Sequence, residues 1–257
     1  PFAATLLSRI TPVPAVGVLM DPLDSLHVKK DSTLALIEAA QKRGWTVHET
    51  QVERLFWDRG RAAGTWFTGE LDAAALHAQE PPATGWYRLG EGEVRDLSSF
   101  DVLLMRKDPP FDMGYVYATY FLDHAAAAGV RVVNRPDSLR DCNEKFFATH
   151  FPDCLAPTLV TADPVRLRAF AHEQGAVVMK PLDGMGGMSV FRLEPGDPNL
   201  SVVIETLTGH GTVPIMAQRY LPEISDGDKR ILLIDGEPLP FSLARLPRAG
   251  ESRGNLA

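Results

Sequence analysis

The chain has 257 residues, a formal net charge of −7, 45% hydrophobic residues and 23% charged residues. These values are typical of a soluble globular protein with one large domain or two, and no apolar run approaches the length of a membrane span. The acidic balance argues against general binding to nucleic acid, so an anion site must be a local cluster of lysines and arginines.

The chain begins with a predicted βαβ unit. The apolar runs at 15–20 and 46–51 predict two buried strands. Between them, Asp31 or Ser32 can cap a helix that runs through Arg43. This order indicates a doubly wound parallel sheet. The first turn lacks the glycines of a dinucleotide-binding loop, which argues against a nicotinamide oxidoreductase.

The predicted sheet continues through an excursion and another strand. Residues 58–95, rich in Gly, Pro and Ala, predict an extended hairpin, and residues 101–105 predict a strand. Arg106 and Lys107 follow that strand at its carboxyl end, where open α/β sheets bind their ligands. They can face an anionic ligand or belong to a solvated loop stiffened by the two prolines that follow.

A helix predicted at 113–128 and a strand predicted at 130–134 complete the first domain. We expect Tyr117, Tyr120 and Phe121 to form the inward stripe of this helix, as core residues rather than a cofactor site. The Arg-Pro-Asp sequence after the strand marks a junction. The predicted domains therefore span 14–136 and 137–257.

The second domain contains a glycine-rich hairpin at 176–191. Lys180 ends its first strand, and Gly184, Gly186 and Gly187 leave backbone N–H groups open to an anion because no Cβ stands in the way. A lysine at a strand end is costly to bury unless an anion meets its ammonium group. The loop is neither a Walker A motif nor a dinucleotide motif. It predicts either a polyphosphate site or a plain glycine-rich turn.

Other predicted elements flank this hairpin. Lys145 lies near the start of a short helix that runs through Phe151, as either a surface lysine or a phosphate ligand aided by the helix N-terminus. Segment 226–230 predicts a tight turn, Asp235-Gly236 predicts a hairpin turn, and Arg245 and Arg253 fall in a loop-like end. The remaining elements are strands at 158–161, 215–220, 231–234 and 238–244 and helices at 164–175 and 199–207.

The two cysteines, Cys142 and Cys154, have neither C-x-x-C spacing nor a plausible disulfide framework, so we expect two reduced thiols. The opening residues contain one arginine and a broken apolar run, which makes a poor signal peptide. These features predict a cytoplasmic protein with neither a membrane nor a nucleic acid as its partner.

Several segments resemble bacterial glutathione synthetase, a ligase of the ATP-grasp superfamily, and the likeness covers nearly all of the chain from residue 15 onward. They are 30–32 (KDS), 105–112 (MRKDPPFD), 138–145 (SLRDCNEK), 180–187 (KPLDGMGG), 226–230 (DGDKR), 244–245 (AR) and 251–257 (ESRGNLA). The resemblance implies an α/β protein. In it, an N-terminal doubly wound parallel-sheet (pre-ATP-grasp) domain precedes an α+β ATP-grasp domain that is incomplete at its C-terminus.

The resemblance also implies an activity, the joining of γ-glutamylcysteine to glycine with cleavage of ATP to ADP and phosphate. ATP would phosphorylate the cysteinyl carboxylate, and the glycine amine would then attack the acyl phosphate. Phosphoryl transfer mostly needs positioning and charge neutralisation, without a covalent protein nucleophile. The implied cofactors are ATP and Mg²⁺, the implied partners are the two small substrates, and the implied assembly is a homo-oligomer.

Roles of individual residues follow from the same resemblance. Lys30 and Asp31 would lie toward the peptide substrate. Arg230, Arg245 and Arg253 match arginines that bind the acyl phosphate and substrate carboxylates, a use that suits a planar fork of donors. The residues that match the nucleotide site are Lys145, Lys180, Gly184, Met185, Gly186, Gly187, Gln218, Tyr220, Leu221 and Asp228.

One departure from the family concerns the metal. The family continues past 255–257 into a helix and strands that carry its magnesium ligands, so we assign no metal ligand and expect them beyond Ala257. Residues 1–257 alone are therefore expected to bind ATP weakly and to make no glutathione. The alternatives are an inactive remnant that at most binds ATP, and another ATP-grasp ligase, such as one for D-alanine or glutamate. The MRKDPPFD segment favours glutathione synthetase through the resemblance.

Overall fold

The computed structural model describes residues 13–184 and 186–246, which divide into two compact units between Asp141 and Cys142. Met185 and Arg253, two of the residues matched to the site, lie outside the described residues. Both cysteines are exposed and free. Within the described residues, no helix combines the length and apolar character needed to cross a membrane.

The first unit is built on a seven-stranded sheet in the order β3-β4-β2-β1-β6-β7, with β5 paired to β4. Its strands are β1 (Ala15–Leu19), β2 (Thr46–Thr50), β3 (Leu55–Asp58), β4 (Arg61–Leu71), β5 (Tyr87–Asp96), β6 (Val102–Met105) and β7 (Arg131–Val133). Its helices are α1 (Ser32–Lys42), α2 (Ala73–Leu76), α3 (Met113–Ala127) and α4 (Pro136–Asp141).

The centre of this sheet is parallel, which confirms the predicted doubly wound arrangement. β1 pairs in parallel with β2 and β6, and β6 pairs in parallel with β7. β4 runs antiparallel to β2, β3 and β5, so the predicted excursion is an extended antiparallel hairpin. Helix α1 packs Leu34 and Ile37 against one face of the sheet, and α3 packs Ala118 and Leu122 against the other.

The predicted inward stripe of α3 is wrong for two of its three aromatic residues. Tyr117 is 56% exposed and Tyr120 is 48% exposed, whereas Phe121 packs against the edge of the core. The residues that face the sheet are instead small or aliphatic, at i, i+4 and i+7: Ala118, Leu122 and Ala125. Small side chains let the helix axis approach the sheet closely. Because Tyr117 and Tyr120 lie on a different face of the helix from these residues, their side chains point to the outer surface.

The second unit contains a four-stranded antiparallel sheet in the order β10-β9-β11-β8 and a separate two-stranded hairpin, β12-β13. The strands are β8 (Thr158–Thr161), β9 (Val177–Pro181), β10 (Phe191–Leu193), β11 (Ile215–Arg219), β12 (Asp228–Ile234) and β13 (Glu237–Arg245). Helices α5 (Pro164–Gln174) and α6 (Leu200–Thr208) pack on one face of the four-stranded sheet.

Three local predictions in this unit are corrected. β12 begins at Asp228, so the last three residues of 226–230 lie in a strand and not in a turn. Arg245 ends β13 instead of lying in a loop, because its guanidinium pairs with Asp228 directly across the hairpin. The helix after Lys145 is a short 3-10 helix, Phe146–His150, that stops before Pro152.

The turn at Asp235-Gly236 forms as predicted, whereas the glycine-rich hairpin differs from the prediction in where its second strand begins. Asp235 and Gly236 both adopt positive φ angles, 52° and 84°, as a tight two-residue turn requires. The glycine-rich hairpin forms between β9 and β10, but its second strand begins at Phe191 and not at Met188. The connection between these strands is therefore longer than the sequence predicts.

Candidate functional site

Lys180 lies on the face of the four-stranded sheet that the helices leave uncovered. Successive side chains of β9 alternate across the sheet, so Val177 and Met179 enter the core while Lys180 points to the opposite face. Its Nζ atom donates a hydrogen bond of 2.7 Å to Oε1 of Gln218 on β11. Burial, and then the positive charge of Lys145, lower the pKa of Lys180. An anion at this face would stabilise the charged form.

Gln218 connects Lys180 to a third strand. Its Nε2 atom donates to Oγ1 of Thr158 at 2.9 Å, and the Thr158 hydroxyl donates to the carbonyl of Ala156 at 2.7 Å. Thr158 stands directly opposite Gln218 in the pairing of β8 with β11. Thr158 was not predicted as a site residue, because a threonine in a strand becomes informative only when its cross-strand neighbour is known.

Lys145 contacts the root of the loop that follows β9. Residues 183–187 are called the glycine loop below. The Nζ atom of Lys145 donates to the carbonyl of Gly184 at 2.9 Å and to that of Leu182 at 3.3 Å, and it pairs with Glu144 at 2.5 Å. The sequence allowed either a surface lysine or a phosphate ligand. The ammonium group of Lys145 is directed toward the loop, which favours the second alternative.

Asn143 also binds the glycine loop, a contact that the sequence did not predict. Its Oδ1 atom accepts hydrogen bonds from the backbone N–H groups of Lys145 and Phe146 at 3.0 Å and 2.8 Å. Its Nδ2 atom donates to Oδ1 of Asp183 at 3.1 Å. One side chain thus fixes both the backbone that carries Lys145 and the first residue of the glycine loop.

The glycine loop needs glycine for its backbone conformation. Gly184, Gly186 and Gly187 have φ angles of 95°, 69° and 75°, a region that side chains with a Cβ rarely adopt. A Cβ built on Gly184 or Gly186 meets no atom within 4 Å, so packing does not dictate these residues. The space beside the backbone of Gly184 and Gly186 is therefore open.

Tyr220 and Leu221 continue from the end of β11. The N–H group of Tyr220 donates to the carbonyl of Ala176 at 2.8 Å, which holds this segment beside the start of the glycine-rich hairpin. The guanidinium of Arg192 lies 4.0 Å from the centre of the Tyr220 ring and donates to its hydroxyl at 3.2 Å. Leu221 is 47% exposed. Arg192 was not predicted, because its cation–π contact depends on the pairing of separate strands.

Two of the predicted residues of the hairpin β12-β13, Asp228 and Arg245, pair with each other. Nε and Nη2 of Arg245 both donate to the carboxylate of Asp228, at 2.6 Å each. This two-point geometry is the one that a guanidinium forms with carboxylates and phosphates alike. Arg230 lies on the exposed part of β12. A substrate phosphate or a ribose hydroxyl would have to compete with, or join, the existing pair.

The predicted residues of the first unit lie at the start of α1. Asp31 caps this helix by accepting a hydrogen bond of 2.6 Å from the N–H group of Thr33, and Lys30 is exposed. Arg106 donates to Oγ of Ser32 at 2.8 Å, and Lys107 pairs with Asp21 at 2.7 Å. The sequence allowed Arg106 and Lys107 either to face an anionic ligand or to lie in a solvated loop. In the structure, both side chains bind residues of the first unit.

The chemistry available in the second unit is that of an anion site. Two ammonium groups, Lys180 and Lys145, lie close enough for one to depress the pKa of the other, beside a loop of open backbone. Among the residues that the structure describes, no group of three His, Cys, Asp or Glu side chains could hold a metal ion. The arrangement can hold a polyphosphate by charge and by backbone N–H groups.

Comparisons with known proteins cover almost the whole chain. The family model for the prokaryotic glutathione synthetase N-terminal domain matches residues 15–140, and that for the prokaryotic glutathione synthetase ATP-grasp domain matches residues 144–257. Glutathione synthetase of Pseudomonas syringae pv. tomato is 55% identical over 243 residues, which are 94% of this chain and 73% of that protein. Glutathione synthetase of Vibrio vulnificus is 49% identical over 242 residues, with 94% and 74% coverage.

Solved structures with low identity share the fold. The crystal structure of D-cycloserine synthetase DcsG matches with a TM-score of 0.58 at 16% identity, over 90% of this chain and 68% of that one. D-alanyl-alanine synthetase A of Vibrio cholerae matches with a TM-score of 0.57 at 11% identity, over 93% and 68%. At these identities the likeness concerns the ATP-grasp architecture alone.

Proposed function

Because the chain belongs to the prokaryotic glutathione synthetase family, we propose that it joins γ-glutamylcysteine to glycine with cleavage of ATP to ADP and phosphate. The observation that carries this proposal is the 55% identity to a glutathione synthetase across 94% of the chain. The fold agrees with it, since residues 144–257 match an ATP-grasp domain and an ATP-grasp ligase shares the architecture.

We infer that ATP binds on the uncovered face of the four-stranded sheet. Lys180 and Lys145 would hold its phosphates, and the glycine loop, with Met185, would cover them. Gln218, Tyr220 and Leu221 would edge the adenine, and Asp228 would meet the ribose. The inference is supported by the lowered pKa of Lys180, because an ammonium group that is costly to bury gains from an anionic partner.

The proposed reaction has two steps. A carboxylate oxygen of γ-glutamylcysteine attacks the γ-phosphorus, and the bond from that phosphorus to the ADP oxygen breaks. The glycine amine then attacks the acyl carbon, the phosphate leaves, and the nitrogen loses a proton. Arg230, Arg245 and Arg253 would neutralise the acyl phosphate and the substrate carboxylates, a task that needs charge and position but no nucleophile of the protein.

The substrate side of the proposal concerns the first unit. Lys30 and Asp31 would lie toward γ-glutamylcysteine. Asp31 already caps α1, so its carboxylate is held in a fixed orientation by the N–H group of Thr33. Mg²⁺ belongs to the proposal as the ion that accompanies ATP in phosphoryl transfer, and no ligand for it is assigned.

We also infer a homo-oligomer in the cytoplasm. The homo-oligomer rests on the family resemblance alone, and the cytoplasmic location rests on the two free cysteines, which suit a reducing compartment. Light scattering of the purified chain measures the assembly directly. A monomer at micromolar concentration would contradict the first statement.

The activity is tested by supplying γ-glutamylcysteine, glycine, ATP and Mg²⁺ and measuring tripeptide and ADP together. The assay is run on residues 1–257 and on a chain extended at its C-terminus to the length of its curated relatives. Tripeptide formed with one ADP per peptide bond by the extended chain supports the proposal, and tripeptide formed by residues 1–257 alone would contradict the expectation that the metal ligands lie beyond Ala257. ATP cleavage that responds to D-alanine or glutamate instead of γ-glutamylcysteine, in both forms, would assign the chain another carboxylate substrate.

A further inference from the structure

Three strands present a line of polar side chains on the uncovered face of the four-stranded sheet. Gln218 on β11 stands opposite Thr158 on β8 and opposite Val178 on β9. Lys180 lies two residues beyond Val178 on the same face, diagonal to Gln218. The line therefore runs from Thr158 through Gln218 to Lys180, across strands that are far apart in the sequence.

The hydrogen bonds along this line have one consistent direction. The Thr158 hydroxyl has a single hydrogen, which it donates to the carbonyl of Ala156 at 2.7 Å. Its oxygen can then only accept, so Nε2 of Gln218 must point toward it, at 2.9 Å. The opposite end of the amide, Oε1, is left facing the Lys180 ammonium group at 2.7 Å.

We propose that Thr158 is a positioning residue for ATP binding: its hydroxyl fixes the amide of Gln218 so that the amide oxygen holds the Lys180 ammonium group in place. This inference rests on the proposed function of Lys180 in the nucleotide site. Thr158 acts through Gln218 and does not itself contact the nucleotide.

The orientation matters because a carboxamide can present either end to a neighbour. Without the Thr158 hydroxyl, rotation of the Gln218 amide by half a turn would place its NH₂ group against the ammonium group, where two donors repel. Lys180 is sensitive to such a change, since burial and Lys145 already disfavour its charge. Glu144 pairs with Lys145 at 2.5 Å, whereas the hydrogen bond that holds the Lys180 ammonium group is the one to Gln218.

Thr158→Val and Thr158→Ser test the proposal, because valine keeps the shape of threonine without its hydroxyl and serine keeps the hydroxyl. ATP dissociation constants are measured by calorimetry from neutral to alkaline pH. We expect the valine variant to raise the constant about three- to tenfold, the effect of losing one hydrogen bond. We also expect its alkaline loss of binding to begin at lower pH. The serine variant should match the wild type in both respects.

Thr161→Val is the matched control, because Thr161 lies on the same strand but on the helix-covered face, opposite Ile215. Its hydroxyl accepts a hydrogen bond of 3.1 Å from the N–H group of Asp163, so the control also loses one hydrogen bond. The Thr161→Val variant should change stability without changing the ATP dissociation constant or the alkaline pH at which ATP binding is lost. A merely structural role for Thr158 would make the two valine variants behave alike.

Lys180→Met separates failure of this proposal from failure of the proposed function. If that variant binds ATP as the wild type does, the site itself is wrong. Alternatively, Lys180→Met loses ATP binding while Thr158→Val keeps the wild-type dissociation constant and the wild-type pH at which binding is lost. That result would overturn the positioning role of Thr158 and leave the nucleotide site in place. Thr158→Ala replaces the valine variant if the latter does not fold, and the same readouts decide.

Discussion

Replacing Lys180 with methionine removes the charge of this side chain and keeps most of its length. The ammonium group donates one hydrogen bond of 2.7 Å to Gln218. Loss of this hydrogen bond leaves the amide oxygen of Gln218 with one partner fewer, which lowers the free energy of unfolding by about 1–3 kcal/mol. The change also removes a half-buried cation whose pKa is lowered by burial and by Lys145. Because the two effects oppose each other, we expect the melting temperature to change little.

ATP binding should respond much more strongly to the same substitution. A hydrogen bond to a charged group contributes about 1.5–3 kcal/mol. Since about 1.4 kcal/mol corresponds to a factor of ten in affinity, the dissociation constant for ATP should rise about ten- to hundredfold.

The measurement is a calorimetric titration with ATP beside a thermal melt of the same sample, on the chain extended at its C-terminus to the length of its curated relatives. Lys42→Met is the matched control, because it makes the same change of net charge at a lysine whose side chain is 65% exposed on α1. The control should bind ATP as the wild type does. Equal affinities of the Lys180→Met variant and the wild type would remove Lys180 from the nucleotide site and refute the reasoning from burial and charge.

The remaining predictions concern the glycine loop and the pH dependence of stability. The loop should be ordered only with nucleotide, so Gly186→Val in the chain extended at its C-terminus should lower turnover more than stability. Gly60→Val, at a similar positive φ in open space, is the control, and hydrogen exchange across the loop that ATP leaves unchanged would contradict the lid. Burial, and then Arg95, lower the pKa of His48 below its ordinary 6.5, and Nη1 of Arg95 donates to its Nε2 atom at 2.6 Å. The unfolded state therefore binds more protons, and the free energy of unfolding should fall as the pH drops below that value, by at most about 1.4 kcal/mol per pH unit. Urea titrations of the wild type and His48→Gln measure this slope, and equal slopes would contradict it.

The sequence by itself determined the elements that depend on neighbours in the chain. The cap of α1 by Asp31, the helix that starts at Pro164 and the two-residue turn at Asp235 follow from residue types whose backbone preferences act within a few positions. The apolar run that ends in Lys180 likewise placed this lysine at the end of a strand, and β9 ends one residue later, at Pro181. The family was identified from short segments that keep both spacing and composition.

Only the tertiary structure decided which distant side chains meet. Gln218 lies 38 residues from Lys180 and 60 from Thr158 along the chain, and their contacts arise from the register of three strands. Register is set by the packing of a whole sheet against its helices, which no local preference encodes. The same reason explains α3, where the close approach of Ala118 to the sheet, and not the size of Tyr117, chose the buried face.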